Sequence, residues 1–421
     1  MTREGGEKLN SVQDVVSPDV VLVQPPNPML SDPTTRWPLG LGYLEAVLTE
    51  AGAKVVVADL RDKEIDLNLI PKAPIVGITA STGEIGYAKE IARLVKQRNA
   101  NTLTVIGGAH ATYLPDDCKG YFDLVVVGEA EYAIMQLLRR GHPGGIIYAS
   151  PMPNLDALPF PTRHSFSFSE TLFEGAGYGE SPPATSIISS RGCPMACSYC
   201  REKPDIVRFR SPKNVAEEIR EIMDTWGCRH FRFEDDNLTL NKKRALELFE
   251  LLEPLDVRWR AHTRANLWDD ELAQAAKRAG CSEMGFGFEA ATDGLLKVVR
   301  KAETVPQYRE AVRVCKRKGI SCKAFWMTSM PSETWETIED IKRFMIEEKP
   351  DKWIVSRLCP YPGSDIWTNP SIYRVKFIDQ DFSHYWNFAH IPVIDYGGSS
   401  KEELDAHYHH LVSWLSKEFP R

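Results

Sequence analysis

The chain has 421 residues, a hydrophobic content of 43% and a formal net charge of −7 at pH 7. Its length predicts two or three domains, and its acidic balance excludes the basic footprint of nonspecific nucleic-acid binding. No uncharged apolar run approaches the ~18 residues that cross a membrane. Nine cysteines, three of them on one short loop, indicate a reducing compartment, so we expect a cytoplasmic protein.

Residues 18–150 alternate short apolar runs with helical stretches. Residues 1–17 before them are polar and predict a disordered tail, without the apolar segment typical of a signal peptide. The alternation predicts an α/β fold, a doubly wound, Rossmann-like parallel sheet. The predicted strands are 19–23, 54–59, 75–80, 103–107 and 123–127, and the predicted helices are 39–50, 85–97 and 131–140.

Ligands of such a sheet lie beyond the carboxyl ends of its strands. Gly107-Gly108 permits close approach of a flat or phosphate-bearing ligand, although a glycine pair alone also fits a plain tight turn. His110 either contacts a ligand or caps the helix that follows. The candidate binding residues at this edge are Pro25, Pro26, Ser81, Thr82, Gly107, Gly108, Ala109, His110, Gly128 and Glu129.

A proline-rich segment over residues 151–183 follows this domain. Proline restricts both helix and sheet, so the segment is predicted to be a linker, and its apolar residues predict that it packs along both domains. Its prolines are Pro151, Pro153, Pro159, Pro161, Pro182 and Pro183.

A second alternation covers residues 184–370 and predicts a partial (β/α)6 barrel of the TIM type. Right-handed crossovers place every strand's carboxyl end on one rim, where barrels of this type carry their active site. The predicted strands are 185–189, 229–234, 257–261, 283–289, 321–327 and 353–358, and the predicted helices are 213–226, 242–252, 270–279, 307–318 and 333–347. Ser211, Asn241, Asp269 and Ser332 are predicted to begin the first, second, third and fifth of these helices.

Three cysteines, Cys193, Cys197 and Cys200, follow the first barrel strand at C-x₃-C-x₂-C spacing. Iron–sulfur clusters are held by cysteine thiolates, usually four, so three thiolates leave one iron open for chemistry. The alternative is a structural zinc site, which needs a fourth ligand. The nearest candidates for that ligand are Cys228, His230 and, upstream, His164.

The cysteine motif, with Tyr199 just before its last cysteine, resembles the signature of the radical S-adenosylmethionine (SAM) superfamily. Segments 23–26, 38–44, 107–112 and 127–131 resemble the cobalamin-binding domain that precedes the catalytic domain in one large subclass, and 155–161 resembles that subclass's linker. The Asp-x-His-x-x-Gly motif that supplies a histidine ligand to cobalt in other cobalamin proteins is absent, so we expect cobalamin to bind without it. A domain that keeps the fold without the cofactor is the alternative.

The resemblance implies three cofactors: a [4Fe-4S] cluster on Cys193, Cys197 and Cys200, SAM, and cobalamin. In such enzymes the cluster cleaves SAM to a 5′-deoxyadenosyl radical, and methylcobalamin methylates an unactivated carbon of a small molecule, here expected in natural-product assembly. It also implies an electron donor such as a flavodoxin or a ferredoxin. The positions that match the family's SAM contacts are Tyr199, Arg264, Glu289 and Met327.

The sequence leaves alternatives open for the roles of the rim residues and for the reaction. Arg264 and Glu289 also fit an ion pair on the barrel rim, and Asp235 and Asp236 fit either general bases or a turn. The catalytic residue is therefore not assigned. The same two cofactors would also serve a cyclisation or rearrangement without methyl transfer, and a corrinoid or metal sensor without turnover is the third possibility.

Residues 371–421 are rich in aromatics and histidine and predict a C-terminal cap over the rim, ending in a helix over 401–417. His407, His409 and His410 are predicted to lie on a half-exposed face of this helix rather than in a metal site. Cys359 on the rim fits a reactive thiol, but a buried structural cysteine is the preferred interpretation.

Overall fold

The computed structural model describes residues 17–28, 37–140, 144–165, 184–200, 206–386, 393–396 and 399–420. Residues 1–16 of the predicted tail over 1–17, and the end of the predicted linker with Pro182 and Pro183, lie outside the described residues. No helix within the described ranges is both long enough and apolar enough to span a membrane.

The N-terminal half forms a parallel sheet with helices on its faces, which confirms the predicted α/β fold. Its strands, within the described ranges, are β1 Val20–Gln24, β2 Val55–Asp59, β3 Ile75–Thr79, β4 Leu103–Gly107, β5 Leu124–Val127 and β6 Gly145–Tyr148. They lie in the order β2-β1-β3-β4-β5-β6. The helices are α1 Leu39–Glu50, α2 Ile85–Arg98, α3 Ala109–Tyr113, α4 Pro115–Cys118 and α5 Ala130–Arg140.

Strand β1 is the second strand from one edge of this sheet, and all five of its residues are buried. It pairs in parallel with both β2 and β3, so the strand order reverses at β1. Such a reversal opens a crevice beyond the carboxyl ends of the strands, where doubly wound sheets bind ligands. The sequence missed β6 because it is a short edge strand whose two end residues are exposed.

Gly108, at the carboxyl end of β4, has a backbone that only glycine adopts easily. Its φ is +92°, and an added Cβ would lie 2.8 Å from the carbonyl oxygen of Ala80 and 2.8 Å from Thr79 Oγ1. The predicted tight turn at this position is therefore also a close approach between the ends of β3 and β4.

Alanine at Gly108 is expected to lower the free energy of unfolding by about 1–3 kcal/mol, because the positive φ and the close contacts both oppose a Cβ. Urea denaturation measures this change. Gly86→Ala is the matched control: Gly86 lies in α2, and a Cβ added there would meet no atom within 4 Å, so stability should stay the same or rise by up to ~1 kcal/mol. Equal effects of the two changes would contradict the assignment.

The C-terminal half forms a partial barrel of parallel strands, as the sequence predicts. Within the described ranges the barrel strands are β7 Ala184–Ile187, β10 His230–Phe233, β11 Arg258–Thr263, β12 Cys281–Glu289, β13 Ser321–Thr328 and β14 Lys352–Arg357. Two short strands, β8 Ser190–Arg191 and β9 Arg208–Phe209, lie between β7 and β10 in the chain and outside the barrel sheet. The order is β14-β13-β12-β11-β10-β7. The helices are α6 Pro212–Trp226, α7 Lys242–Leu252, α8 Asp270–Arg278, α9 Asp293–Val298, α10 Val305–Lys318 and α11 Trp335–Glu348.

Strand alternation decides which side chains of the barrel face its interior. On β12, Phe288 packs against Tyr308 of α10, with a ring centroid separation of 4.5 Å, and against Phe344 of α11. Because successive side chains point to opposite faces of a strand, Gly287 faces the barrel interior. Glu289 follows an irregularity in the pairing of β12 with β13, and it borders the same interior together with Gly287.

The start of α11 corrects one sequence prediction. Ser332 was expected to cap this helix, but Thr334 is its N-cap, and Ser332 lies in the preceding turn with φ +68°. The predicted caps Ser211, Asn241 and Asp269 each accept a hydrogen bond from the first turn of their helix.

The short strands β8 and β9 pair antiparallel and form a two-stranded ribbon that the sequence did not predict. The segment between them, whose described residues are 192–200 and 206–207, carries all three cysteines of the motif. We call this segment the cysteine loop. The ribbon holds the two ends of the cysteine loop together beside β7.

The C-terminal cap contacts both halves of the chain. It follows the short helix α12 Asp365–Thr368 and contains β15 Val375–Ile378, β16 Ile394–Tyr396 and α13 Lys401–Glu418. Phe382 meets the ring of His110 in the N-terminal half at 5.0 Å, and Trp386 packs against Gly83. On the barrel side, the Tyr396 hydroxyl donates to the carbonyl oxygen of Ser329 over 2.8 Å.

The histidines of α13 only partly agree with the predicted half-exposed face. His409 and His410 are exposed, but His407 is fully buried, with Nδ1 2.9 Å from Glu333 Oε1. The prediction for His407 was wrong because α13 packs on α11 and the barrel along that side.

Candidate functional site

The three motif cysteines lie on one cavity at the carboxyl end of the barrel strands. The cavity measures about 300 Å³, and Cys193, Cys197 and Cys200 all line it. Its other lining residues are Met195, Tyr199, Asp236, Asn237, His262, Thr263, Arg264, Gly287, Glu289, Lys301 and Phe325. The structure thus brings the cysteines together with Tyr199, Arg264 and Glu289, three of the four predicted SAM contacts.

Met327, the fourth predicted contact, does not line this cavity. It lies two residues beyond Phe325 on β13 and so shares that strand's inward face. Its contact with SAM stays a prediction.

Two side chains direct hydrogen-bond donors at the thiols. Asn237 Nδ2 is 3.2 Å from Cys193 Sγ, and Arg264 Nη1 is 3.7 Å from Cys197 Sγ. Burial raises the pKa of the Cys193 thiol, and the Arg264 charge opposes this rise. Donors to ligating sulfur stabilise the thiolate and tune an iron–sulfur cluster, so the donor set fits a cluster held by three cysteines.

Cys228 and His230 cannot complete a zinc site with these cysteines. His230 pairs in register with Ala184, the first residue of β7, whereas the cysteine loop follows the end of that strand. The two groups therefore lie at opposite ends of the barrel. His164 is also engaged elsewhere, with Nε2 3.1 Å from Glu45 Oε1 on α1. In the described part of the chain, no three His, Cys, Asp or Glu side chains gather around the position of a single metal ion.

Four charged side chains form a buried network along one wall of the cavity. Lys301 Nζ lies 3.3 Å from Glu289 Oε1 and 3.5 Å from Glu303 Oε2. Arg264 Nη2 lies 3.3 Å from Glu303 Oε2. The alternative of a direct ion pair between Arg264 and Glu289 does not hold, because Arg264 pairs with Glu303 and Glu289 pairs with Lys301.

Lys301 and Glu303 are functional candidates that the sequence analysis missed. Burial lowers the pKa of Lys301, but the charges of Glu289 and Glu303 outweigh burial and raise it overall. The only signal in the sequence was the charged run Arg300-Lys301-Ala302-Glu303. Its backbone has positive φ at Arg300 and Ala302, a feature that the residue types do not predict.

Glu289 is held in place by backbone and side chain alike. Its φ is +63°, which is uncommon for a residue other than glycine. The Tyr199 hydroxyl donates to Glu289 Oε1 over 3.1 Å, and a Cβ at Gly287 would lie 2.5 Å from the same oxygen. Gly287 therefore lets the carboxylate fold back over the strand end, towards the cavity.

Charged side chains also fill the barrel interior below the cavity. Lys323 on β13 is buried near Glu283, and Arg260 and Arg232 add positive charge around it. Burial lowers the pKa of Lys323 to about 7; Glu283 opposes this, and the neighbouring cations lower the pKa further.

The free energy of unfolding is expected to rise as the pH increases from about 7 towards 10.5, the ordinary pKa of lysine. In this window the unfolded chain binds more protons at Lys323 than the folded chain does, so raising the pH favours the folded state. Lys323→Met should remove this part of the slope, and Lys243→Met, on the exposed face of α7, should leave it unchanged. Urea denaturation across the window measures both; identical slopes in wild type and Lys323→Met would contradict the assignment.

The predicted ligand edge of the N-terminal sheet contains buried polar groups. Ser81 N–H donates to Glu84 Oε2 over 2.8 Å, and Asn27 Nδ2 donates to Glu84 Oε1 over 3.1 Å. Burial raises the pKa of the Glu84 carboxyl above its ordinary value. Asn27 Oδ1 and His110 Nδ1 are buried and have no hydrogen-bond partner among the described residues. Unsatisfied polar groups at this edge fit a ligand rich in amides, such as a corrinoid.

The side chains of His110 and Glu129 at this edge already have protein partners. His110 is fully buried, and its Nε2 lies 2.9 Å from Asp117 Oδ2. Among the described residues, no side chain caps the start of α3, so the capping role that the sequence offered as the alternative is wrong. Glu129 accepts hydrogen bonds from Arg191 and Arg208 of the ribbon. Contacts of His110, Glu129 and the other residues of this edge with a cofactor stay predictions.

Two family models match the chain in the order of its two sheets. The B12 binding domain matches residues 34–138, and the Radical SAM superfamily matches residues 187–345. The first match covers β2 to β5 and the part of the predicted ligand edge that follows β3, β4 and β5, and the second covers the cysteine loop and most of the barrel.

Individual proteins extend the similarity to both halves together. The chain is 29% identical over 367 residues to an uncharacterized methyltransferase of Pyrococcus horikoshii, covering 79% of this chain and 78% of that protein. It is 28% identical over 353 residues to the anaerobic magnesium-protoporphyrin IX monomethyl ester cyclase of Rubrivivax gelatinosus, covering 77% of this chain and 63% of that protein. It shares the fold of the radical S-adenosylmethionine methyltransferase TsrM from Kitasatospora setae, solved with cobalamin and a [4Fe-4S] cluster bound, with a TM-score of 0.64 at 19% identity over 83% of this chain and 77% of that one.

Proposed function

This chain belongs to the radical SAM enzymes that carry a cobalamin-binding domain, and we propose that it is a C-methyltransferase acting on an unactivated carbon of a small molecule. The proposal is supported most directly by a contact between the two halves of the chain. The predicted corrinoid edge and the ribbon of the cysteine loop are in direct contact, since Glu129 Oε2 lies 3.0 Å from Arg191 Nη1. The two cofactors would therefore serve one reaction space.

The protein's own residues have distinct tasks in this proposal. When bound, the cluster supplies the electron that cleaves SAM, and cobalamin carries the methyl group. Cys193, Cys197 and Cys200 would hold the cluster, with Asn237 and Arg264 donating hydrogen bonds to their sulfurs. These donors favour the charged thiolates over the thiols.

The charged wall of the cavity would bind the polar parts of SAM. Glu289 offers a carboxylate whose direction is fixed by Tyr199 and Lys301, and a carboxylate of this kind accepts hydrogen bonds from ribose hydroxyls. His262 and Phe325, with ring centroids 5.1 Å apart, close the floor of the cavity. This floor would separate the cavity from the side chains that fill the barrel interior below it.

The electron is proposed to come from a flavodoxin or a ferredoxin. All nine cysteines of the chain are free thiols, which fits a reducing cytoplasm where such donors occur. Natural-product assembly is the proposed setting for the small-molecule substrate.

Two half-reactions test the proposal without knowledge of the substrate. Protein reconstituted anaerobically with iron, sulfide and cobalamin should cleave SAM to 5′-deoxyadenosine when reduced. With methyl-deuterated SAM and reduced cobalamin, it should also release S-adenosylhomocysteine and transfer the label to the corrinoid. Iron, sulfide and corrinoid are quantified in the same sample.

The outcomes separate the rival functions. Deoxyadenosine without any labelled corrinoid would favour a cyclisation or rearrangement, a candidate supported by the 28% identity to the Rubrivivax gelatinosus cyclase. Absence of both products from a protein that holds both cofactors would favour a sensor. Once a substrate is found, a product heavier by one methylene unit would support methyl transfer.

A further inference from the structure

Glu129 joins the N-terminal half to both strands of the ribbon. It lies between β5 and α5, directly after Gly128 at the predicted corrinoid edge. Its Oε2 accepts from Arg191 Nη1 of β8 over 3.0 Å and from Arg208 Nη1 of β9 over 3.0 Å, and its Oε1 accepts from Arg208 Nη2. One carboxylate therefore bridges the two strands that begin and end the cysteine loop.

The bridge is shielded from solvent. The side chains of Glu129, Arg191 and Arg208 are 24%, 15% and 14% exposed. Burial raises the pKa of Glu129, but the two arginines outweigh burial and hold this pKa below its ordinary value. The carboxylate is therefore charged at neutral pH, and two charge-assisted contacts in a partly buried site are stronger than exposed ion pairs.

Other contacts fix each arginine on the N-terminal side. Arg191 Nη1 also lies 2.7 Å from Glu131 Oε1, and its guanidinium stacks 5.0 Å from the centroid of the Tyr43 ring. Arg208 Nη1 also donates to the carbonyl oxygen of Met152 over 2.7 Å. A movement of the loop after β5 would therefore move both ends of the cysteine loop together.

We propose that Glu129 is a positioning residue that couples corrinoid binding at the N-terminal edge to the conformation of the cysteine loop. Gly128 beside it has φ +93°, and its N–H donates to Thr112 Oγ1 over 3.1 Å, so the backbone that would face the corrinoid is itself restrained. This inference rests on the proposed function, because it requires that both cofactors bind. Such a coupling is reciprocal: a bound cluster strengthens corrinoid binding by the same factor as a bound corrinoid strengthens cluster binding.

The test compares hydroxocobalamin affinity in two forms of the same protein, one with its cluster reconstituted and one stripped of iron by a chelator. Anaerobic titration followed by visible absorbance gives the dissociation constant of each form. Wild type is expected to bind hydroxocobalamin at least about 5-fold more tightly with the cluster in place, the lower end of typical couplings between sites. Glu129→Gln should bring this ratio to within about 2-fold of unity, and Glu129→Asp, which keeps the charge on a shorter side chain, should restore part of it.

Glu90→Gln is the matched control, since it removes a carboxylate from an exposed ion pair with Arg93 in the same half of the chain. It should leave the wild-type ratio unchanged. A residue that only stabilised the fold would weaken hydroxocobalamin binding equally in both forms and leave the ratio intact, which would overturn the proposal. A wild-type ratio near unity, with both cofactors bound, would also overturn it and leave the proposed function standing. Failure of wild type to bind either cofactor would overturn the proposed function and this coupling with it.

Discussion

Alanine at Cys193, Cys197 and Cys200 together is expected to abolish the iron–sulfur chromophore and all cleavage of SAM. The three thiols line one cavity, and the described residues of that cavity include no further cysteine that could replace them. Without thiolates, neither a cluster nor an open iron for SAM can form. Iron and sulfide content, visible absorbance and 5′-deoxyadenosine formation measure the loss.

Cys228→Ala is the matched control for the cysteine variant. Cys228 is buried at the opposite end of the barrel, so its loss should lower stability slightly and leave iron content and SAM cleavage at wild-type levels. A triple variant that still held a full cluster would contradict the site, and so would a wild-type protein that took up zinc in place of iron.

Methionine at Lys301 is expected to cost about 3–5 kcal/mol of the free energy of unfolding, the usual effect of removing one partner from a buried ion pair. The change leaves Glu289 and Glu303 without the ammonium that now lies 3.3 Å and 3.5 Å from them. Urea denaturation of the reconstituted protein measures the loss. Binding of SAM should weaken as well, because Lys301 helps to hold the Glu289 carboxylate at the cavity.

Two further variants distinguish the stability lost by breaking the charged network from the stability lost by removing any lysine. Lys213→Met removes an exposed lysine near Glu217 on α6, and its effect should stay within about 0.5 kcal/mol. Adding Glu289→Gln to Lys301→Met should recover part of the loss, because the second change removes one of the stranded charges. A loss below ~1 kcal/mol for Lys301→Met would mean that the network contributes little.

The overall fold was predicted from local patterns because both sheets are built from strands and helices that alternate along the chain. Buried apolar runs mark their central strands, and caps such as Asn241 and Asp269 mark their helices. The misses are elements with weak local signals. Strand β6 is an exposed edge strand, and β8 and β9 have only two residues each.

The residues of the candidate site also fall into those that local patterns predicted and those that they did not. The cysteine trio was found because its members are close in sequence and must share one loop. Glu289 and Arg264 were placed on the rim because Glu289 ends one predicted strand and Arg264 follows another, and both line the cavity. Their partners were not predicted, since Lys301 and Glu303 come from a loop whose backbone conformation the residue types do not dictate.

The sequence by itself determined the fold class, the cysteine loop and the resemblance to radical SAM enzymes with a cobalamin-binding domain, because these depend on neighbouring residues and on the periods of helix and strand. Tertiary structure alone decided which charges meet. Glu129 reaches Arg191 across 62 positions and Arg208 across 79 positions, and only the packing of one sheet beside the other brings them together. Charged side chains interact over a few ångströms in space, and local sequence patterns do not specify the distance between residues that are far apart in the chain.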